Sequence, residues 1–445
     1  MGNKNTIRVA EFEKLYYDDI KPFKQKHWEA LCRYQGQQNS FSNKQTEYFK
    51  ILNKGIQFTN YVGVIQAGNL TIEVLPKTDK QNTAAENLSV QDLERADKDI
   101  ADKKQCWHNV LLQMLKECRL LQVNHVDYAS LNLKSNSLLE LYLELFLAET
   151  EKLLHEGLTK KYRKEEDNKL VMKGQLLYAK NIAHNIVHKE RFFVRHTEYN
   201  RTNIFNQLLY KTLCFIPSIS KSPRLSDKVN RLLLDFPGMP DCTVTPATFE
   251  RLVFDRKTER YKEALLISKM LLLNYRPDIT GGSENVIAIL FDMNELWEEF
   301  VYRRLHKSAK EGVTISRQNG KDFWYNVKDG FHKRVRPDIV INKNDKTFII
   351  DTKWKIIADN RPGDDDLKQM FVYNLLWDAD QLILLYPGNQ ENCHGSYMHF
   401  NLSLKNQVDV ESKFFNHCSL AFISVIDKNG KLIDNDPFSA LLNNF

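Results

Sequence analysis

The sequence predicts an α+β protein of several domains, with a β-rich N-terminal domain, a helical middle region and a C-terminal α/β domain. At 445 residues the chain is longer than one ordinary core requires, which favours about two or three domains. Hydrophobic residues make up 42% of the chain and aromatic residues 11%, enough to bury such cores. The hydrophobic pattern also changes twice along the chain, and these changes predict domains at 1–104, 105–284 and 285–445.

The N-terminal domain is predicted to contain a β-hairpin. Residues 57–77 alternate apolar and polar side chains on both sides of the turn Ala67-Gly68-Asn69, a pattern typical of a half-buried hairpin. The polar and charged segment 78–104 that follows predicts an exposed linker running into a helix.

The middle region has the periodicity of helices. From Cys106 to about Met270, Leu, Phe and Tyr recur at spacings of three and four. Ser137 and Glu140 form a capping box that predicts the start of a helix, and Gly157 stands where a left-handed C-terminal residue belongs. The basic run LTKKYRK that follows is typical of a solvated helix end, although it could also contact phosphates.

The C-terminal region alternates predicted helices and strands. We expect a helix over ENVIAILFDMNELWEEFVYRRLHKSA, three strands near 321–327, 336–342 and 347–353, a helix over DDDLKQMFVYNLLWDA, and the strands QLILLYP and SLAFISVI. Helix, meander, helix and strand in this order are typical of an α/β sandwich.

Charge and cysteine usage restrict the function only loosely. The net charge of +6 permits a polyanionic partner without requiring one, because 57 acidic residues dilute the 63 basic ones. Seven cysteines without a Cys-x-x-Cys pair favour reduced thiols, and the spacing of Cys393-His394 and His417-Cys418 matches no familiar zinc module. No apolar run approaches the length of a membrane span, so we expect a soluble, cytoplasmic protein without a membrane partner.

The tetrapeptide RPDI occurs twice, with its aspartate at Asp278 and at Asp338. Asp278 follows a predicted helix and runs into the glycine-rich segment TGGSEN, so we interpret it as a loop residue. Asp338 begins the apolar run IVI, after which NKND predicts a turn and TFIIDTKWK a return strand. The second copy therefore lies on a predicted hairpin.

The return strand of this hairpin carries Asp351 and Lys353. Because strand side chains alternate, Asp351 and Lys353 project to one face, where Asp338 can meet them across the ladder. Two carboxylates can hold Mg²⁺ through oxygen, while the ammonium can position or help to deprotonate a water, or stabilise charge on a phosphate. The pattern predicts phosphodiester hydrolysis.

Asp-x-Lys alone is a weak signal, because it also occurs at five other positions: Asp19, Asp102, Asp167, Asp255 and Asp366. Among these, only Asp255 follows a comparable apolar run, and no Pro-Asp strand precedes it. Asp351 alone has a hairpin partner with a second carboxylate. The alternative that stays open is a structural Asp–Lys pair at a strand end.

The helix before the hairpin carries Glu295, Glu298 and Glu299, with residue 295 sharing a face with both others. One of them could supply a further carboxylate to the metal, or all three could form a solvated acidic face.

The helix after the hairpin places Asp366, Gln369 and Tyr373 on one face. Gln369 could contact a substrate phosphate or orient water, whereas Tyr373 could simply pack.

These segments resemble known families. RPDIVI…FIIDTKWK followed by D…QMFVYN resembles the PD-(D/E)xK nuclease superfamily, and LFDMNELWEEFV is similar to the signature of the McrC family, the nuclease subunit of McrBC modification-dependent restriction systems. The upstream segments YVGVIQAGNLTIEVLPK, LLHEGLTKKY, MKGQL and NRTNIFNQLLYKTL follow in the same order as in that family. The resemblance thus covers most of the chain.

The resemblance implies a C-terminal PD-(D/E)xK nuclease domain with a central mixed sheet flanked by helices. It implies Asp338 and Asp351 as metal ligands, Glu298 as the helix carboxylate, Lys353 as the catalytic lysine and Gln369 as an auxiliary polar residue. The implied cofactor is Mg²⁺, with Mn²⁺ as a possible substitute. The implied activity is that of a type IV-like restriction endonuclease acting on methylcytosine-containing DNA in antiviral defence.

The resemblance also implies partners. These are double-stranded DNA and hexamers of an McrB-like AAA+ GTPase, which binds the GTP and which the N-terminal and helical regions would engage and stimulate. The sequence is consistent with a separate GTP-binding partner, because it has no Gly-x4-Gly-Lys-Ser/Thr phosphate loop of its own. Two alternatives remain, a nuclease of a related restriction system with another motor or DNA specificity, and a non-catalytic adaptor of an AAA+ ring.

Overall fold

A computed structural model of the chain describes thirteen stretches, which are residues 5–17, 19, 22–41, 47–76, 90–118, 120, 138–220, 222–276, 285–317, 319–357, 359–397, 417–427 and 429–443. Within them the protein has mixed α/β architecture, with five sheets and eleven α-helices. No helix in the described stretches is long and apolar enough to cross a lipid bilayer.

The N-terminal part consists mainly of strands. Its elements are β1 (Thr6–Ala10), β2 (Lys14–Tyr16), α1 (Gln25–Phe41), β3 (Phe49–Leu52), β4 (Gly55–Phe58), β5 (Tyr61–Ala67) and β6 (Leu70–Leu75). The hairpin predicted around Gly68 is confirmed, and the φ of +58° at this glycine fits the turn. The hairpin is buried on both faces, however, because Val64 and Ile65 point into two different hydrophobic cores.

The middle part is less uniformly helical than its periodicity predicts. Its elements are α2 (Val90–Glu117), α3 (Leu138–His155), β7 (Lys161–Lys169), β8 (Gln175–Leu176), α4 (Tyr178–Asn185), β9 (Phe192–Asn200), α5 (Ile204–Ile219), α6 (Pro223–Asp235), α7 (Pro246–Glu250), a 3₁₀ turn (Glu259–Tyr261), α8 (Lys262–Leu273) and β10 (Tyr275–Arg276). The strands β7, β9 and β8 form a separate sheet. The basic run LTKKYRK therefore leads into an exposed strand and not a helix end.

Helix α3 is buried as its apolar circumference predicts, and Gly157 beyond it has a φ of +85°. Ser137, the predicted cap, lies outside the described residues. The N–H of Leu138 donates instead to Oε1 of Glu73 on β6, at 3.1 Å. A buried carboxylate from a distant strand thus satisfies a donor at the start of this helix.

The C-terminal part contains the mixed sheet. Its elements are β11 (Val286–Asp292), α9 (Met293–Ser308), β12 (Val313–Arg317), β13 (Lys321–Tyr325), β14 (His332–Val335), β15 (Ile339–Lys343), β16 (Lys346–Thr352), α10 (Asp364–Trp377), β17 (Gln381–Pro387), β18 (Cys393–Ser396), β19 (His417–Ile423) and α11 (Asp436–Asn443). Six of these strands form one sheet in the order β12-β15-β16-β17-β19-β18. The strands β16, β17 and β19 are parallel, and the other neighbours are antiparallel.

The prediction of a single helix from residue 284 to 309 is wrong in its first half. Val286–Asp292 is strand β11, which pairs with β5 in the N-terminal sheet of order β1-β6-β5-β11-β10. A short continuous apolar run does not distinguish a buried strand from a buried helix, so tertiary pairing decides. Gly63 permits this pairing, because a Cβ there would lie 2.2 Å from the carbonyl oxygen of Ile289. Asp292 ends β11 and caps α9 by accepting from the N–H of Asn294.

Helices cover both faces of the six-stranded sheet. Ile350 on β16 packs in the same core as Trp297 and Phe300 of α9, whereas its neighbour Ile349 packs in the core of Tyr373 on α10. This alternation follows from the period of two along a strand. The sheet therefore places residues of β16 between two helices that carry predicted site residues.

Candidate active site

The hairpin β15–β16 brings the two predicted aspartates together. Ile339 pairs with Ile350 in the antiparallel ladder, so that Asp338, one residue before β15, lies opposite Asp351 near the end of β16. Lys353, two residues beyond Asp351, projects to the same face, and its Nζ lies 2.7 Å from Oδ2 of Asp351. The three charged groups therefore converge at one end of the hairpin.

Asp351 is a buried carboxylate with spare acceptor capacity. Its side chain is 1% exposed, and neither oxygen accepts a hydrogen bond of regular geometry from the described residues, although the Lys353 ammonium is in contact. Burial raises the pKa of Asp351 to about 7, and the neighbouring Asp338 adds to this, while Lys353 opposes it. A carboxylate in such a position is costly to the fold, which is typical of functional sites.

Asp338 is held by a residue that the sequence did not identify. Oδ2 of Asp338 accepts hydrogen bonds from the N–H of Thr352 at 2.7 Å and from its hydroxyl at 2.8 Å. Burial raises the pKa of Asp338, and the two bonds from Thr352 act against that rise. The signal in the sequence is the hydroxyl residue between the Asp and Lys of the motif, because its side chain can add a second donor to the backbone N–H.

Lys353 is oriented by a chain of hydrogen bonds from α10. Its Nζ donates to Oε1 of Gln369 at 3.1 Å, and Nε2 of Gln369 donates to the hydroxyl of Tyr373 at 2.6 Å. That hydroxyl donates in turn to the carbonyl of Arg336, also at 2.6 Å. Gln369 thus contacts the lysine directly, and Tyr373 does more than pack.

The Lys353 ammonium remains charged in this setting. Burial would lower the pKa of Lys353, but the carboxylates around it, above all Asp351 and then Asp366, outweigh burial and raise it. Asp366 of α10 lies 3.8 Å from Nζ of Lys353 and is also bound by the ammonium of Lys355 and the hydroxyl of Tyr386. The sequence did not identify Lys355 or Tyr386 as neighbours of the site, although Lys355 follows Lys353 with the period of a strand.

The structure distinguishes the three glutamates of α9. Glu299 is paired with Arg303 at 2.5 Å and with Arg317, and Glu295 is exposed. Burial raises the pKa of Glu298 to about 7, and the charges of Asp338 and Asp351 contribute to that rise, so these carboxylates are close enough to repel one another. Glu298 is the glutamate that shares the site with the hairpin.

A cavity of about 640 Å³ opens beside these glutamates. Its wall includes Tyr61 of β5, Asp292, the three glutamates of α9 and Arg317 of β12. The acidic edge of α9 therefore faces open space between the N-terminal sheet and the six-stranded sheet.

Asp338, Asp351 and Glu298 line the site without forming a compact ligand group. In the part of the chain that the structure describes, one group of three potential ligand side chains has all its ligand atoms within 4.8 Å of one another, and it consists of Glu165, His196 and Glu198. This group lies on β7 and β9, away from the predicted motif in sequence.

The Glu165–His196–Glu198 group is already accompanied by cations of the protein. The ammonium of Lys169 lies 2.9 Å from Nε2 of the buried His196, and Nε of Arg163 lies 3.8 Å from a carboxylate oxygen of Glu165. Nε2 of His196 and the carboxylate of Glu165 are thus in contact with protein cations, while the buried Nδ1 of His196 has no hydrogen-bond partner among the described residues.

The chain matches one family of known proteins over most of its length. A family model described as McrBC 5-methylcytosine restriction system component matches residues 56–387. The type IV methyl-directed restriction enzyme EcoKMcrBC of Escherichia coli (strain K12) is 23% identical over 261 residues, which cover 56% of this chain and 73% of that protein.

Two solved structures have a similar fold. A chain from the assembly of Thermococcus gammatolerans McrB AAA+ hexamers with bound McrC superposes with a TM-score of 0.67 at 18% identity, covering 99% of this chain and 100% of that one. A chain from the cryo-EM structure of the Thermococcus gammatolerans McrBC complex gives a TM-score of 0.50 at 21% identity, covering 69% and 89%. At these identities the likeness shows the fold alone.

Proposed function

This chain belongs to the McrBC family of 5-methylcytosine restriction system components, and from that premise we propose that it is the DNA endonuclease subunit of such a system. One observation carries the proposal. Asp338, Asp351 and Lys353 converge at the end of a hairpin in a mixed sheet, where Asp351 is buried with spare acceptor capacity. This is the arrangement that a PD-(D/E)xK nuclease requires.

The donor set fits a hard divalent cation. Asp338, Asp351 and Glu298 offer carboxylate oxygens, the ligands that Mg²⁺ prefers. We propose that these three residues hold Mg²⁺, for which Mn²⁺ could substitute. When bound, the cation supplies charge stabilisation to the phosphodiester and lowers the pKa of water.

The residues of the chain supply the remaining functions. We assign Lys353 to positioning the attacking water or helping to deprotonate it, or to stabilising negative charge on the phosphate. Gln369 positions the ammonium of Lys353 through the bond at 3.1 Å. Thr352 positions Asp338 in the same way.

We also propose a motor partner. The Thermococcus gammatolerans assembly contains McrB AAA+ hexamers with bound McrC, and we propose that this chain likewise binds an McrB-like AAA+ GTPase. GTP would bind to that partner, since this chain has no phosphate loop. In this proposal residues 1–104 and 105–284 engage and stimulate the motor, and residues 285–445 cleave DNA.

The proposal is tested by combining the purified chain with its AAA+ partner, GTP, Mg²⁺ and DNA with or without methylcytosine. We expect cleavage of methylated DNA by the complete mixture and little cleavage by the chain alone. Robust specific cleavage by the single chain would contradict the dependence on a partner. Asp351→Asn should remove cleavage and keep the stimulation of GTP hydrolysis, whereas an adaptor without nuclease activity predicts no cleavage even with the wild-type chain.

A further inference from the structure

A two-stranded ribbon formed by β13 and β14 stands next to the candidate active site. It forms a sheet of its own, in which Trp324 pairs with Lys333 and Tyr325 with His332. All residues of β13 are exposed, as are those of β14 except Val335. An isolated pair of strands is only marginally stable in water, so a ribbon that projects in this way calls for a functional explanation.

The exposed side chains of the ribbon are unusually aromatic. Four rings are between 52% and 56% exposed, those of Phe323, Trp324, Tyr325 and Phe331. Val327 at the tip is 84% exposed. In duplex DNA, apolar side chains contact thymine methyl groups in the major groove or wedge between base steps.

The ribbon is also positively charged. Residues 321–336 contain five lysines and arginines and two aspartates, a net charge of +3 (5 − 2). Both aspartates are engaged within the ribbon, since Asp322 lies 3.2 Å from Nε of Arg334 and Asp329 accepts from the N–H of Phe331. The ribbon therefore presents a net charge of +3 to a polyanion after its two aspartates are counted.

Three cations of the ribbon are available to a ligand. Lys328, Lys333 and Arg336 form no ion pair with any other residue that the structure describes. Lys328 lies at the tip, Lys333 opposite Trp324, and Arg336 at the base of the ribbon. Cations spread along a ribbon in this way match a row of phosphates.

The base of the ribbon is fixed to the site. The carbonyl of Arg336 accepts from the Tyr373 hydroxyl that also binds Gln369, and Nζ of Lys321 donates to the carbonyl of Leu376 at 2.8 Å. Asp338 follows Val335, the last residue of β14, by three positions. A strand of five residues extends about 17 Å, and the major groove of about 12 Å width admits a two-stranded ribbon.

We propose that the β13–β14 ribbon is an arm that binds double-stranded DNA beside the phosphodiester to be cleaved. Lys328, Lys333 and Arg336 contact phosphates, and the aromatic side chains enter the groove. This inference rests on the proposed nuclease function. The carboxylates of the site are negatively charged and repel the DNA backbone, so the ribbon is assigned the contacts with the phosphates of the duplex.

The test measures binding of a short fluorescein-labelled duplex to the full chain by fluorescence anisotropy, in EDTA and over a series of salt concentrations. We expect Lys328→Gln with Lys333→Gln to bind about 10-fold more weakly and to reduce the slope of log affinity against log salt by roughly 2. Trp324→Ala should weaken binding about 10-fold with little change of slope, since stacking and groove contacts release no counterions.

The matched control is Lys310→Gln with Lys346→Gln. This double variant removes the same charge from exposed positions of the C-terminal part. Both positions lie near the turn end of the β15–β16 hairpin, away from Asp351, so the variant should bind DNA as the wild type does.

Ribbon variants that bind DNA like the wild type would overturn the proposal. So would variants that bind DNA normally but lose the AAA+ partner, because the ribbon would then be a protein contact. A chain that binds DNA through the ribbon yet does not cleave it with partner, GTP and Mg²⁺ would instead refute the nuclease function.

Discussion

Thr352 holds Asp338 with two hydrogen bonds to one oxygen, from its N–H at 2.7 Å and from its hydroxyl at 2.8 Å. Thr352 also lies between Asp351 and Lys353 in the sequence. The segment 351–353 therefore contains a proposed metal ligand, the residue that positions Asp338 and the proposed catalytic lysine. Mutation of a residue that orients a metal ligand typically lowers metal affinity or activity by about 10–100-fold. We therefore assign Thr352 to positioning Asp338.

The first prediction concerns this bond. Thr352→Val removes the hydroxyl and keeps the shape and the backbone N–H, so we expect DNA cleavage to fall by about 10–100-fold and the Mg²⁺ concentration for half-maximal activity to rise. Thr352→Ser keeps the hydroxyl and should restore both. The measurement is a Mg²⁺ titration of cleavage with the AAA+ partner present. A loss of activity at unchanged Mg²⁺ requirement would argue against the positioning role.

The second prediction separates a catalytic Asp351 from a structural Asp–Lys pair. Because Asp351 is a buried carboxylate whose pKa is raised to about 7, Asp351→Asn should leave the melting temperature unchanged or raise it. The Lys353 ammonium keeps Gln369 and Asp366 as neighbours in the variant. Cleavage should fall by more than about 100-fold, beyond the loss expected for a residue that only orients a ligand.

A structural pair predicts the opposite result for Asp351→Asn, a lower melting temperature with activity that falls only in proportion to the folded fraction. Differential scanning fluorimetry and a cleavage assay on the same preparation distinguish the two. Addition of Mg²⁺ should raise the melting temperature of the wild type and not that of Asp351→Asn, since only a cation bound to the folded state stabilises it.

The third prediction uses the two copies of RPDI as a matched pair. Asp338→Ala should abolish cleavage, because Asp338 lies opposite Asp351 in the hairpin, and Asp278→Ala should spare it. Asp278 lies outside the described residues, so this control rests on its sequence context alone. Equal losses for both variants, measured with the AAA+ partner, would contradict the assignment of the site to the second copy.

The fourth prediction compares adjacent glutamates of α9. Glu298→Gln should reduce cleavage strongly without lowering stability, since burial and then the charges of Asp338 and Asp351 raise the pKa of Glu298 to about 7. Glu299→Gln breaks the contacts with Arg303 and Arg317, so it should lower the melting temperature and leave the Mg²⁺ requirement unchanged. If Glu299→Gln raised the Mg²⁺ requirement and Glu298→Gln did not, the choice of Glu298 would be wrong.

The sequence predicted the hairpin of the site because its signals are local. A polar turn between two β-rich runs sets the register, and the register places Asp338 opposite Asp351 without further information. The same holds for Gln369, which falls on the predicted helix α10. Periodicity along a strand or helix is enough to predict which side chains lie together when the residues belong to one element or one hairpin.

The parts that sequence did not predict depend on contacts between distant segments. The apolar run of β11 predicts a helix because it has no distinguishing period, and only the pairing of β11 with β5 shows that it is a strand. Which of Glu295, Glu298 and Glu299 is the candidate metal ligand depends on Arg317 of β12, which forms an ion pair with Glu299. The acceptor for the N–H of Leu138 is the carboxylate of Glu73, 65 positions away.

The fifth prediction concerns that buried Glu73. Burial alone would raise the pKa of Glu73, but His108 at 3.2 Å and Arg8 at 2.9 Å outweigh burial and hold the pKa below its ordinary value of 4.5. When the pKa of a carboxyl group is lower in the folded state than in the unfolded state, the charged group stabilises the fold fully at a pH above its unfolded-state pKa. That stabilisation is lost as the pH falls through its folded-state pKa. Glu73 should therefore stabilise the fold at neutral pH and cease to do so in acid.

The test is urea unfolding of the wild type and Glu73→Gln at neutral and at acidic pH. At neutral pH we expect the variant to be less stable by about 1–3 kcal/mol, because it replaces hydrogen bonds to a charged carboxylate with bonds to a neutral amide. The difference should shrink as the pH falls below 4.5, since the wild-type carboxyl is then protonated as well. Glu250→Gln, at an exposed position, should show no such dependence. A difference for Glu73→Gln that is the same at both pH values would mean that shape and packing, and not charge, make Glu73 important where α2, α3 and the N-terminal sheet meet.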